Sequence, residues 1–225
     1  TLMRSKGVVL STARKITQRP QGTELARHES DDLRVLMRSM LRFSTNITAE
    51  AAGMTATDAL TDQGFDLDGS AATMTIFANG KAGIAPYFED HSGLGDMSRI
   101  SAHDMTTLLN APGVQTRLQP IMKRIVMRDV EGNELRDFPG EVRAKTGTLN
   151  FVSSLAGYIQ TTDGRTLTFA FFAADLEARE IGKQSADERP PGSRSFNTRA
   201  KRLQQRLLQR VALMSVESAE IAAGN

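Results

Sequence analysis

The sequence contains no cysteine and no tryptophan, and the first absence removes whole classes of chemistry. Without a thiol there is no disulfide framework, no thiolate metal site and no cysteine nucleophile. Histidine is nearly as scarce. His28, His91 and His103 stand on three unrelated segments, so neither a histidine-based triad nor a zinc site has a local cluster to build on, and each is read as a surface or capping residue. No metal or organic cofactor is expected. Long apolar runs are missing too: Leu167 to Ala174, among the longest, falls far short of the roughly 20 residues of a spanning helix. Nor does one charge sign dominate. With 28 basic and 26 acidic residues the formal charge is +2, too slim an excess for a nucleic-acid face, and no nucleic-acid partner is expected.

What is present suits a globular chain, since 225 residues at 40% hydrophobic suffice for one sizeable core. The start, TLMRSKGVVLSTARKI, has no methionine at position 1 and no apolar signal-peptide core, and reads as a chain entered in its middle. Residues 1–29 read as a polar connection marked by Pro20 and Gly22. Residues 30–110 read as mostly helical. Ser30 is the expected N-cap, with Asp31 and Asp32 in the first turn and Leu33, Leu36, Met37, Met40 and Leu41 at helical spacing, so that a buried helix ends at Phe43-Ser44-Thr45-Asn46. Helices over Thr48–Thr61 and Gly69–Asn79 follow, then a connection Gly80-Lys81-Ala82-Gly83, a turn-rich loop Asp90–Asp96, and a helix capped by Ser101.

Residues 140–215 change character. Glu141–Leu149, Ser153–Gln160 and Thr166–Ala174 read as three strands of an antiparallel meander, the last two joined at Asp163-Gly164. Glu177–Asn197 reads as a long polar loop. A basic amphipathic helix over Thr198–Ser215 then covers one face, with Leu203, Leu207, Val211 and Met214 as its apolar stripe. The sum is an α+β arrangement whose small sheet has an unprotected edge, and something outside the chain is expected to pair with it.

Two short patterns carry chemistry. Lys145-Thr146-Gly147 arises by chance in about one chain in twenty of this length, and Ser-x-Asn is commoner still, occurring at Ser44-Thr45-Asn46 and again at Ser195-Phe196-Asn197. Their order is more telling than either alone. A Ser-x-Asn after a helix, then Asp90-x-Ser92-Gly93-Leu94, then a Lys-Thr-Gly strand opening a meander, resembles the penicillin-recognising serine enzymes. The resemblance is closest to the D-alanyl-D-alanine carboxypeptidase/endopeptidases of peptidase family S13. It runs through LMRSMLRFSTNITAE, DHSGLGDMSRISAHDMTTLL and VRAKTGTLNFVSSLAGYIQTTDGRTLTFAFF.

This resemblance implies the β-lactamase/transpeptidase-like fold and a periplasmic hydrolase acting on peptidoglycan stem peptides through an acyl-serine, with β-lactams as mimics of the D-Ala-D-Ala terminus. It assigns Lys145 to the substrate's terminal carboxylate and to proton transfer, Thr146 and Thr148 to the same carboxylate, and Gly147 to close backbone approach. The N–H of Thr148 becomes one arm of an oxyanion hole, Ser44 a proton relay to the leaving amine, and Asn46 a hold on the acyl-side amide and the general-base lysine. One family motif is missing: no serine in the 225 residues has lysine three positions on. The nucleophile and base lysine are therefore expected on an upstream portion of the same protein, of which this chain is the C-terminal part, inactive alone. A non-catalytic module that binds peptidoglycan or a partner is the alternative. Smaller departures are Phe151, Ala144 and His91, each where glycine is usual in the family.

Overall fold

The computed structural model describes residues 2–9, 12, 15, 17–18, 22–24, 26–185 and 187–214, in two compact units, Thr1–Asp31 and Asp32–Asn225. The first contains a short helix α1 (Leu2–Ser5) and an exposed polar stretch in which Arg27 pairs with Glu24 and Glu29. Pro20, which marks the connection in the sequence, lies outside the described residues, as does Ser215, the expected end of the last helix.

The second unit begins with helices α2 (Leu33–Phe43), α3 (Asn46–Thr61), α4 (Leu67–Ala82), α5 (Ala102–Asn110) and α6 (Val114–Leu118), followed by a tight 3-10 turn at Gln119–Ile121. Strands β1 (Lys123–Arg124), β2 (Glu141–Leu149), β3 (Val152–Gln160) and β4 (Thr166–Ala174) form a sheet in the order β1-β2-β3-β4, with every neighbouring pair antiparallel. Helices α7 (Leu176–Lys183) and α8 (Ser193–Ala212) complete the chain.

Strand alternation divides the sheet between two layers of helix. Val142 and Ala144 of β2, with Leu155, Ile159 and Phe169, face α8 and pack on Leu208 and Ala212. The opposite face presents Tyr158 and Ala156 to Leu109 of α5, Met122 and Leu41 of α2. Ile159, Leu208 and Tyr158 are wholly enclosed, and each such apolar side chain contributes about 1.5–3 kcal/mol by leaving water. The Tyr158 hydroxyl donates to the Leu109 carbonyl at 2.8 Å, and burial pushes its pKa up to about 12. This bond ties α5 to the middle of the sheet.

The structure corrects several sequence expectations. The meander has a fourth strand, β1, whose two residues pair with Ala144 and Arg143 and are too few to show any periodicity. The segment Glu177–Asn197 is not one long loop. α7 occupies its first part, capped by Asp175 accepting from the Ala178 N–H, and α8 already starts at Ser193. α8 also packs one position out of the expected phase: Ala200, Gln204, Leu208 and Ala212 face inward, while of the expected stripe Leu203, Leu207 and Met214 are exposed and Val211 packs partly against the core. Small alanines let the helix approach the sheet closely, and Gln204 donates to the Ser153 carbonyl at 3.3 Å. α4 runs through Gly80 to Ala82 and stops at left-handed Gly83. α2 starts after Asp32, not Ser30, and contains no fully buried residue. Ser101 caps α5 as expected, accepting from the Asp104 N–H.

Candidate active site

Ser44 ends α2 in the left-handed conformation, φ 56, with its N–H on the Met40 carbonyl at 2.8 Å. Thr45 is extended and Asn46 already begins α3, so two residues turn the chain from one helix into the next. A non-glycine residue in that conformation costs on the order of 1–3 kcal/mol and persists where its surroundings fix it. Here the turn points Ser44 at the sheet. Lys145, 101 residues further on, donates from Nζ to Ser44 Oγ at 2.6 Å and to the Thr146 carbonyl at 2.5 Å. Burial pushes the Lys145 ammonium below the ordinary lysine range, and the positive charge of Lys123 on the adjoining strand lowers it further.

The six residues singled out by sequence line one cavity of about 630 Å³: Ser44 and Asn46 from the helix junction, Lys145, Thr146, Gly147 and Thr148 from β2. Thr146 and Thr148 are exposed, and their hydroxyls have no intramolecular partner among the described residues. Beyond Ala144, β2 has no strand on its outer side among the described residues, because β1 stops there. Residues 145–149 thus form an open sheet edge along the cavity. Gly147 answers to a neighbour within the sheet: a Cβ there would collide with Ser154 Oγ on β3, and Ser154 also lines the cavity.

Opposite this edge stands the loop that contains Asp90-His91-Ser92-Gly93-Leu94. Its base is closed by paired bonds between Tyr87 and Arg99, 2.8 and 2.7 Å. Inside, Asp90 accepts from the N–H groups of Gly93 at 2.5 Å and Gly95 at 2.6 Å, and Ser92 Oγ accepts from Leu94 N–H at 3.3 Å. These are the side-chain turns that such a glycine-rich loop needs in place of a backbone ladder. Glu50 of α3 accepts from both His91 N–H and Ser92 N–H, at 3.1 and 3.0 Å.

The third wall is α7, which sequence reasoning missed. Arg179 donates to the Asn150 carbonyl at 3.1 Å. Lys183 pairs with Asp96 of the opposing loop and with Glu180 at 2.7 Å. The Lys183 bond holds the Asp96 carboxyl below its usual range, while Asp96 raises Lys183. Both groups are exposed, so the pair sets geometry more than stability. The Asp175 cap, Glu177 in the first turn and Lys183 in the last were the available signal for this helix.

The histidine expectation holds for exposed His28 and His103 and fails for His91. Its Nε2 lies 2.8 Å from Ser70 Oγ, which is itself 2.8 Å from Thr57 Oγ1. Phe151 is buried, with φ 59, against Phe196 at 6.2 Å between ring centres. Its positive φ explains why glycine suits that turn, and its ring packs away from the cleft beneath Gly182 and Gly192. The second Ser-x-Asn serves the fold: Asn197 donates to the Leu149 carbonyl at 2.9 Å. Among the described residues no three His, Asp or Glu side chains group as a metal site, and no helix is long and apolar enough to cross a membrane.

A helix-sandwiched antiparallel sheet with Lys-Thr-Gly on its open edge, facing a Ser-x-Asn helix junction, defines the β-lactamase/transpeptidase-like fold. Penicillin binding protein 4 (dacB) of Haemophilus influenzae, solved in complex with a β-lactam, shares it: TM-score 0.57 at 19% identity, over 86% of this chain and 46% of that one. Residues 2–189 match the D-Ala-D-Ala carboxypeptidase 3 (S13) family, and the chain belongs to that family. Carboxypeptidase DacB of Mycolicibacterium smegmatis is 28% identical over 164 residues, 68% of this chain and 36% of its own length. Carboxypeptidase Rv3627c of Mycobacterium tuberculosis is 28% identical over 187 residues, 76% and 40% respectively. The chain thus spans well under half the length of these relatives.

Proposed function

We propose that this chain forms the carboxylate-binding and proton-relay half of a serine-type D-Ala-D-Ala carboxypeptidase/endopeptidase that acts on peptidoglycan stem peptides in the periplasm and is acylated by penicillin. The observation that carries this reading is the Lys145 Nζ to Ser44 Oγ bond at the edge of an open strand. Lys145, with the free hydroxyls of Thr146 and Thr148, suits a terminal D-alanyl carboxylate, since charge-assisted bonds to a carboxylate are about twice as strong as neutral ones. The unpaired edge of β2 offers main-chain groups to an extended peptide. A serine on a segment outside these 225 residues attacks the carbonyl between the two D-alanines. Its proton passes through the base lysine, the Lys145–Ser44 pair protonates the departing amine, and water then releases the acyl group. Asn46 orients the acyl-side amide, and the Thr148 N–H steadies the oxyanion.

The test is labelling with a fluorescent penicillin. A protein that joins this chain to its Ser-x-x-Lys segment is expected to label covalently, and the 225-residue chain alone is not. Lys145→Ala in the longer protein lowers the labelling rate by about a hundredfold, the order of effect of removing one electrostatic support from an acyl-transfer site. A labelling rate unchanged by this substitution refutes the assignment. A longer protein that binds a D-alanyl peptide but never labels is the non-catalytic module instead.

A further inference from the structure

We infer that His91 is a positioning residue: by filling the space above Gly53 it fixes the cavity loop against helix α3, and so sets the width of the cleft between Asn46 and that loop. The inference rests on the reading of this cleft as the stem-peptide site. Gly53 lies in the interior of α3, where glycine is about 1 kcal/mol worse than alanine. The His91 ring explains it, because a Cβ at Gly53 would sit inside that ring. The ring is held from two helices. Nε2 meets Ser70 Oγ of α4 at 2.8 Å, Ser70 meets Thr57 Oγ1 of α3 at 2.8 Å, and Nδ1 lies 3.3 Å from Met74 Sδ of α4. Ser70 is fully buried and Thr57 nearly so. The loop backbone is fastened to the same helix, since Glu50 accepts from His91 N–H and Ser92 N–H. Glu50 stands one turn along α3 from Asn46. Side chain and main chain therefore join the loop wall, Ser92 to Asp96, to the helix whose first residue lines the other side of the cleft. A peptide held between the two walls loses contact when the loop moves, whereas the Lys145–Ser44 contact does not involve the loop.

Four variants test it: His91→Gly, His91→Gln, Gly53→Ala and the double variant Gly53→Ala/His91→Gly. In the 225-residue chain, hydrogen exchange of the Ser92 amide is expected to rise roughly tenfold in His91→Gly, as for loss of one buried hydrogen bond, and similarly in Gly53→Ala. The double variant exchanges no faster than His91→Gly, because the added methyl then meets empty space. His91→Gln, whose amide can still reach Ser70, retains most of the protection. In the longer protein, His91→Gly raises KM for a stem peptide several-fold and leaves kcat within about twofold, since Lys145 and Ser44 keep their contact. Unchanged exchange in both single variants, additive effects in the double one, or an unchanged KM in an active parent overturns the inference. If the parent is inactive, the functional assignment falls, and exchange alone then decides whether His91 fixes the loop.

Discussion

Lys145 is half-buried between two oxygen acceptors and close to the charge of Lys123. Burial and like charge both disfavour its ammonium, so its pKa lies below the ordinary 10.4 or so. The folded chain releases this proton more readily than the unfolded one, and the group's contribution to stability rises with pH from the lowered value up to the ordinary one. The carboxylate binding proposed for Lys145 has the opposite sign, because it needs the cation. Affinity of the chain for a D-alanyl-D-alanine peptide, followed by NMR titration, is expected to decline on the alkaline side before free lysine would titrate. Lys123→Ala moves that decline to higher pH. A decline unmoved by Lys123→Ala refutes the role given to its charge. At this scale the motif residues were legible, since Lys-Thr-Gly and Ser-x-Asn are contiguous and their order survives in the chain. Glu50, Gly53, Thr57 and Ser70 were not. Their pairings join residues 13 to 42 positions apart, and no periodicity announces them.

At the scale of elements, the hairpin between β2 and β3 sets two costs against each other. Phe151 holds a left-handed conformation worth roughly 1–2 kcal/mol of strain, yet its ring is 93% shielded and packs on Phe196. Phe151→Ala loses the ring and keeps the strain, and about 3 kcal/mol or more of stability should go. Phe151→Gly loses the same ring and relieves the strain, so it should unfold at a higher urea concentration than Phe151→Ala, the reverse of the usual ranking in a strand. An alanine variant more stable than the glycine variant excludes this account. Sequence patterns placed β2, β3 and β4 within a residue, because each alternates against a packed face. They misplaced α7 and the phase of α8 for related reasons. Leu176 and Ile181 of α7 are exposed, so that helix shows no inward stripe, and α8 buries two alanines and a glutamine where a hydrophobic count prefers leucines.

Across the whole Asp32–Asn225 unit, stability is unevenly distributed. β3 is paired on both sides and contains Tyr158 and Ile159 with no exposure. α2 buries no residue fully and leaves Leu33, Val35 and Phe43 in solvent. Native-state hydrogen exchange is expected to open α2 first, well below the global unfolding free energy, with the β3 amides last. Equal protection of the two elements contradicts this. The Ser44 junction then adjoins the element expected to open first, and its contact with Lys145 is expected to break by motion on the helical side.

The open edge of β2 also limits what kind of selectivity the cleft can have. A strand edge repeats its donors and acceptors about every 6.6–6.8 Å, two residues at a time, whatever side chains the incoming peptide bears. It therefore measures extension and direction, not composition.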